Sequence, residues 1–163
     1  MHESDRLLVV DEAGRLRAAL TAYRWVAFAG PRTTTGLGVV LLVAVGASQV
    51  SLLITADYPR WLDAWFVLAG VLTLLAAASV TAARSRLVAA FGWSVGSLVC
   101  ATSIGLWIAS RTAGLPGVAG TVGRWDHPGG TAVMGLAAVF LLLHASLLLG
   151  VTVAVPDRRR WHD

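Results

Sequence analysis

His144 and Cys100 each lie deep inside an uncharged apolar run, and they are the side chains of this sequence best suited to do chemistry at depth. An ionisable group in a membrane must find a partner or stay neutral, which makes it a candidate functional site by default. At 1.5 Å rise per residue both sit about 16–20 Å from the same side of the membrane, so His144 can meet Cys100 or Ser97. A Cys–His pair is a soft metal donor set, but two ligands fall short of the four that zinc prefers. Membrane haem commonly takes a pair of His, and no second His lies within an apolar run. The simpler chemistry is a neutral imidazole hydrogen-bonded to Ser97 or to a backbone carbonyl. A metal or proton role for Cys100 and His144 stays open, and no cofactor is predicted.

Gln49, flanked by Ser48 and Ser51, is the other intramembrane polar group. Its amide has two donors and an acceptor, so a bond across to another helix is expected. Between the third and fourth apolar runs lies the longest polar interruption, residues 110–129. Together with the 56–63 connection it gathers Asp57, Arg60, Asp63, Arg111, Arg124, Asp126 and His127. An interfacial ion pair between Arg111 and Asp63 is expected, because one closes the third run and the other opens the second. These charges either mark the water boundary or form a shallow polar site for an anionic headgroup or small solute. His127 beside Asp126 is a metal-ligand type without a second ligand at suitable spacing.

The elements that must position these residues are four uncharged stretches, 37–55, 64–83, 87–109 and 130–155. Each approaches or exceeds the roughly 20 residues needed to cross ~30 Å of hydrocarbon. Hydrophobic residues make up 56% of the 163-residue chain and charged residues 13%, with a mean hydropathy of +0.71. A soluble domain of this size has no interior large enough to hide four such helices. The expected fold is therefore all-α and integral to the membrane: an up-down-up-down four-helix transmembrane bundle. Residues 1–36 form an N-terminal segment and 156–163 a tail. Leu16, Leu20, Tyr23 and Ala27 recur at helical spacing, so a short interfacial helix ending before Gly30-Pro31 is one reading of that segment and an irregular tail the other. Thr33-Thr34-Thr35 are expected to cap the first span.

All 13 basic residues are Arg, and the formal net charge is +4. In a soluble chain that balance suggests nucleic acid, but here the arginines flank the apolar runs and no nucleic-acid partner is expected. Ten of them fall in the N-terminal segment, the 84–86 turn and the C-terminal tail, and three in the other two connections. The positive-inside rule then places both termini in the cytoplasm and the 110–129 loop outside. Trp25 and Trp161 fall at the inner interface, and Trp61, Trp65, Trp107 and Trp125 at or near the outer one, as an aromatic belt requires. The lone Cys100 excludes an intrachain disulfide, and the absence of Asn excludes N-linked glycosylation.

Small residues decide how such helices meet. Gly92, Gly96 and Cys100 recur every fourth residue in the third span, with Ser97, Ala101 and Gly105 as a neighbouring ridge. Ala69, Thr73, Ala77 and Thr81 repeat the spacing in the second. Packing within the bundle is the first reading and self-association the second. The Leu98–Val99 side is expected to face lipid.

Ser110-Arg111-Thr112-Ala113-Gly114-Leu115-Pro116 resembles the Ser-Arg-Thr-x-Gly-Leu-Pro motif that follows the third span in small, uncharacterised multi-span membrane proteins of GC-rich bacteria. The resemblance covers the motif and the four-span layout, and it implies a bacterial cytoplasmic membrane but no activity. Arg124-Trp125-Asp126-His127 matches the acidic, Trp-containing continuation of those proteins loosely. Physically, Gly114 permits a left-handed helix end, Pro116 stops the helix, and Arg111 reaches a headgroup or an acidic partner. The expectation is a non-enzymatic accessory or scaffold protein contacting lipids, another membrane protein or its own copies. A small oligomeric transporter or channel, and a metal or redox protein, are the alternatives. No Asp or Glu lies in any span, which removes a proton-coupled carboxylate mechanism.

Overall fold

The computed structural model describes residues 30–55 and 57–156. The proposed interfacial helix, Trp25, Trp161 and the terminal arginines lie outside the described residues. Four helices follow in order: α1 Gly30–Thr55, α2 Arg60–Ala82, α3 Arg86–Thr112 and α4 Pro128–Leu148, with a single 3-10 turn, Ala119–Thr121, in the last connection. All four are long and apolar enough to cross a membrane. Each packs against the next, and α1 closes the ring against α4.

Proline sets several of the boundaries. Pro31 sits in the first turn of α1, where a fixed φ helps and the missing N–H costs nothing. The helix thus begins before the threonines expected to cap it, and the Thr35 hydroxyl instead donates back to the Pro31 carbonyl at 2.8 Å. Pro59, extended at φ −62° and ψ 145°, precedes α2 as its N-cap. Ser85 caps α3, its hydroxyl accepting from Val88 N–H at 3.4 Å. Pro128 opens α4, and His127 caps it through ring Nδ1, which accepts from Gly130 N–H at 3.2 Å.

α4 is shorter than the 130–155 run. It stops at Leu148, and Gly150 follows with φ 70°. Apolarity continues past this point, but helical geometry does not: Gly150 takes the left-handed conformation that turns the chain out of the helix. Ser146 ties the turn by accepting from Val151 N–H at 2.9 Å through its carbonyl and sharing a hydroxyl bond with Thr152 at 2.7 Å. The following strap returns to α1, where Val155 N–H donates to the Thr35 hydroxyl at 3.0 Å. Twenty-one helical residues still measure about 31 Å, enough to span the hydrocarbon.

The central core joins Leu41, Leu42 and Val45 of α1, Ala76, Ala77 and Val80 of α2, Trp93 and Cys100 of α3, and Ala137 and Phe140 of α4. Gly92 and Gly96 let the helices close on it. A methyl at Gly92 would lie 2.8 Å from Val80 Cγ2 and 2.9 Å from the Ala76 carbonyl, and one at Gly96 2.7 Å from Leu42 Cδ2. That ridge is filled by the bundle itself. Ala69, Thr73 and Ala77 of α2 are buried as the spacing predicts, whereas Thr81 is exposed. Gly105 and Ala101 are exposed too, and nothing approaches within 4 Å of where a Gly105 methyl would stand, so of this ridge Ser97 alone reaches a neighbouring helix. Leu98 faces outward, but Val99 is only 1% exposed and belongs to the interior. Outward-facing Val40, Ile54, Leu74, Leu87 and Leu142 complete an apolar exterior suited to lipid.

Candidate functional site

The 113–127 connection is folded down over one end of the bundle. Gly114, at φ 76°, turns out of α3 while its N–H returns to the Ala109 carbonyl at 3.0 Å. Trp61 Nε1 donates to the Pro116 carbonyl at 3.0 Å, fastening the loop to α2. Gly117, at φ 82°, passes so close to Pro59 that a methyl there would fall 2.7 Å from its Cγ. Thr121 donates to the Ser110 carbonyl at 3.0 Å, and Gly123 N–H to the Arg111 carbonyl at 2.9 Å. Ser110 and Thr112 themselves donate to Trp107 and Ile108 carbonyls in the turn behind them. The motif residues thus end a helix and anchor a lid.

Beneath that lid is a cavity of about 110 Å³. Leu52, Leu62, Phe66 and Val133 form a second core cluster along its walls, with Tyr58, Trp65 and Val118 partly buried against them. Its polar groups come from three places. Gln49 of α1 is 1% exposed and donates through Nε2 to the Ser103 hydroxyl of α3 at 3.0 Å, while its Oε1 has no partner. Arg111 is 8% exposed: Nη1 donates to the Thr121 carbonyl at 3.3 Å, the guanidinium lies 5.4 Å above the Trp107 ring, and Nε has no partner. Trp107 Nε1, pressed against Gly130 at the start of α4, is also unpaired. The Trp107 ring meets Trp125 edge-on, at 5.0 Å and 64°.

The Arg111–Asp63 ion pair is not formed, and Arg111 makes no ion pair among the described residues. Its charge turns inward over Trp107, because the lid supplies a carbonyl within reach and the indole a face. His127 serves as a helix cap through Nδ1 at the rim of the same cavity. Among the described residues, no three His, Cys, Asp or Glu side chains gather as a metal would require.

The opposite end carries the second polar site. His144 lies one turn from the end of α4, and so nearer the boundary than the 130–155 run implied. Its Nδ1 shares a hydrogen bond with the Ser97 hydroxyl. The ring stacks on Trp93 at 5.7 Å, and Trp93 on Phe140 at 5.2 Å. Cys100 sits in the apolar core and makes no hydrogen bond among the described residues. A wider cleft of about 510 Å³ opens beside this stack, bounded by Arg86, Trp93, His144 and the Thr152–Pro156 strap.

Periodicity missed Trp93, the one indole of the spans that is neither at an interface nor on the surface. It also missed Gly38 and Gly130, which make room for Trp93 and Trp107. A Trp in mid-run, away from every boundary charge, was the available signal.

These features define a four-helix bundle of membrane-spanning helices with a lidded polar cavity at one end. Comparison of the chain with protein-family models, curated proteins and solved structures finds no match.

Proposed function

We propose that this chain is a multi-pass component of the bacterial cytoplasmic membrane that acts by binding rather than by catalysis, as an accessory protein whose working site is the lidded cavity. Both termini face the cytoplasm and the lid faces outside, a reading supported by the arginine distribution and by the indoles at the lid end. The observation that carries the proposal is the set of buried polar atoms without partners on the cavity's walls, Gln49 Oε1 and Arg111 Nε foremost. Leaving such atoms unpaired costs about 1–3 kcal/mol each, more for a charged group, so a site that keeps them is made to be filled.

One observation favours binding over conduction, and a second favours it over metal or redox chemistry. The two cavities share no lining residue, and the fully buried Leu42, Val45, Val99 and Phe140 lie across the bundle between them. His144 pairs with Ser97 rather than Cys100, which leaves the metal or redox reading without its donor pair.

The test is thermal unfolding in mild detergent against a panel of small apolar and acidic molecules. Some members should stabilise the wild type and not Val133→Phe, which fills the cavity from α4. A panel that never distinguishes the two proteins, both folded by circular dichroism, contradicts the proposal.

A further inference from the structure

Taking the lidded cavity as a binding site, we infer that its ligand is an organic carboxylate, held by Arg111 and contacted by Gln49. The cavity contains a full positive charge and, among the described residues, no countercharge: none of those lining it is Asp or Glu. A charge taken out of water is costly unless an opposite charge or several hydrogen bonds replace the lost hydration. Arg111 has one long bond to a carbonyl and a ring face, with Nε unused.

Helix capping does not account for the inward turn. A cation is favoured at a helix C-terminus where the last carbonyls lack donors. At the end of α3 those carbonyls already have them: Ala109 accepts from Ala113 and Gly114 N–H, Ser110 from the Thr121 hydroxyl, and Arg111 from Gly123 N–H. The guanidinium is therefore available, and its planar fork matches the two oxygens of a carboxylate. Across the cavity the first turn of α4 adds partial positive charge of the same sense.

A single guanidinium, with no second Arg on walls that combine neutral polar groups with Leu52, Leu62, Phe66 and Val133, selects a monoanion over a phosphate dianion, whose second charge would stay unpaired. An apolar cavity of ~150 Å³ admits benzene. The smaller space here takes a carboxylate with roughly a four-carbon body, or the acid end of a longer chain leaving between the helices. Ser103 and Arg111 are two turns apart on α3, ~12 Å along its axis, so Gln49 meets the ligand away from its acid group. A hydroxyl on that far part would satisfy Gln49 Oε1.

The experiment titrates butyrate, 4-hydroxybutyrate, butan-1-ol, inorganic phosphate and oleate into the full chain in nanodiscs of zwitterionic lipid. The readout is the fluorescence of Trp107 and Trp125 beside the cavity, in wild type, Val133→Phe, Arg111→Met and Arg111→Lys. We expect butyrate to bind saturably and at least tenfold more tightly than butan-1-ol, 4-hydroxybutyrate to exceed butyrate, and Arg111→Met to erase the advantage over the alcohol. Arg111→Lys should fall between. Oleate binding far better than butyrate, with the same dependence on Arg111, assigns the carboxylate to a lipid; comparable binding assigns it to a free acid. Butan-1-ol binding as well as butyrate, with both lost in Val133→Phe, overturns the carboxylate inference and leaves the binding proposal standing. Preference for phosphate overturns it too. No probe separating wild type from Val133→Phe sinks both. Should the Arg111 variants fail to fold, the wild-type comparison of butyrate with butan-1-ol decides alone.

Discussion

The two ends of the bundle bury aromatic and polar side chains differently, though each leaves an indole N–H unpaired, Trp93 Nε1 at one and Trp107 Nε1 at the other. At the strap end, His144 is hydrogen-bonded to Ser97 and stacked on Trp93, beside a broad open cleft. At the lid end, Gln49, Trp107 and Arg111 each keep an unpaired atom around a small, partly open space under the lid. A neutral ring can be satisfied by its own neighbours, so the histidine, the obvious candidate for chemistry, has a sufficient structural role. A guanidinium cannot shed its proton, and enclosing it without a carboxylate makes sense only where something arrives to meet it. The less conspicuous residue is thus the better guide to function.

The largest expected effect decides which end meets the outside. Gly120→Cys on the lid should react with an impermeant maleimide on intact cells, while Ser85→Cys in the α2–α3 turn should not; native Cys100 is buried and gives no background. The reverse pattern would exchange the two cavities between compartments.

Next comes the packing layer that separates them. Gly96→Leu should lower stability by about 1–3 kcal/mol, because Leu42 and Phe140 already occupy the space. Gly105→Leu, on the open surface of the same helix, should unfold within a few tenths of a kcal/mol of wild type. Equal losses in detergent unfolding would mean that the small-residue ridge does not face the core.

Smaller effects compare the polar pairs themselves. Ser103→Ala strands the Gln49 amide and should cost about 1–2 kcal/mol, whereas Gln49→Leu removes both the bond and an unpaired oxygen and should cost less. The reverse order would mean that Gln49 Oε1 is already satisfied. At the strap end, His144→Gln should preserve most of the stability, and His144→Leu should cost about 1 kcal/mol. Wild type carrying stoichiometric metal that His144→Gln loses would overturn the structural role given to this ring.

The fold was largely written in the chain: four apolar runs, a Pro at or just before three of the four helix starts, and Ser85 before the third. Run length misled at α4, where Val151–Pro156 is as apolar as a helix but lies past the left-handed turn at Gly150. Gly92 and Gly96 were legible as packing residues, since small side chains at fourfold spacing let helix backbones approach; the exposure of Gly105 was not, because periodicity marks a face without naming what lies opposite. Gln49 and Arg111 were each conspicuous alone. Their gathering at one cavity depends on α1 and α3 meeting at a particular rotation, and Arg111 turning inward depends on a lid whose path rests on hydrogen bonds to Trp61 and Ser110. Neither is encoded in any local pattern.

The most direct test of the central claim is an experimental structure of the full chain purified in mild detergent, at a resolution that reveals ordered small molecules and water. Density is expected under the lid in contact with Arg111, anionic in character, with the guanidinium held over Trp107. A dry, unoccupied cavity with Arg111 turned out to solvent would contradict it.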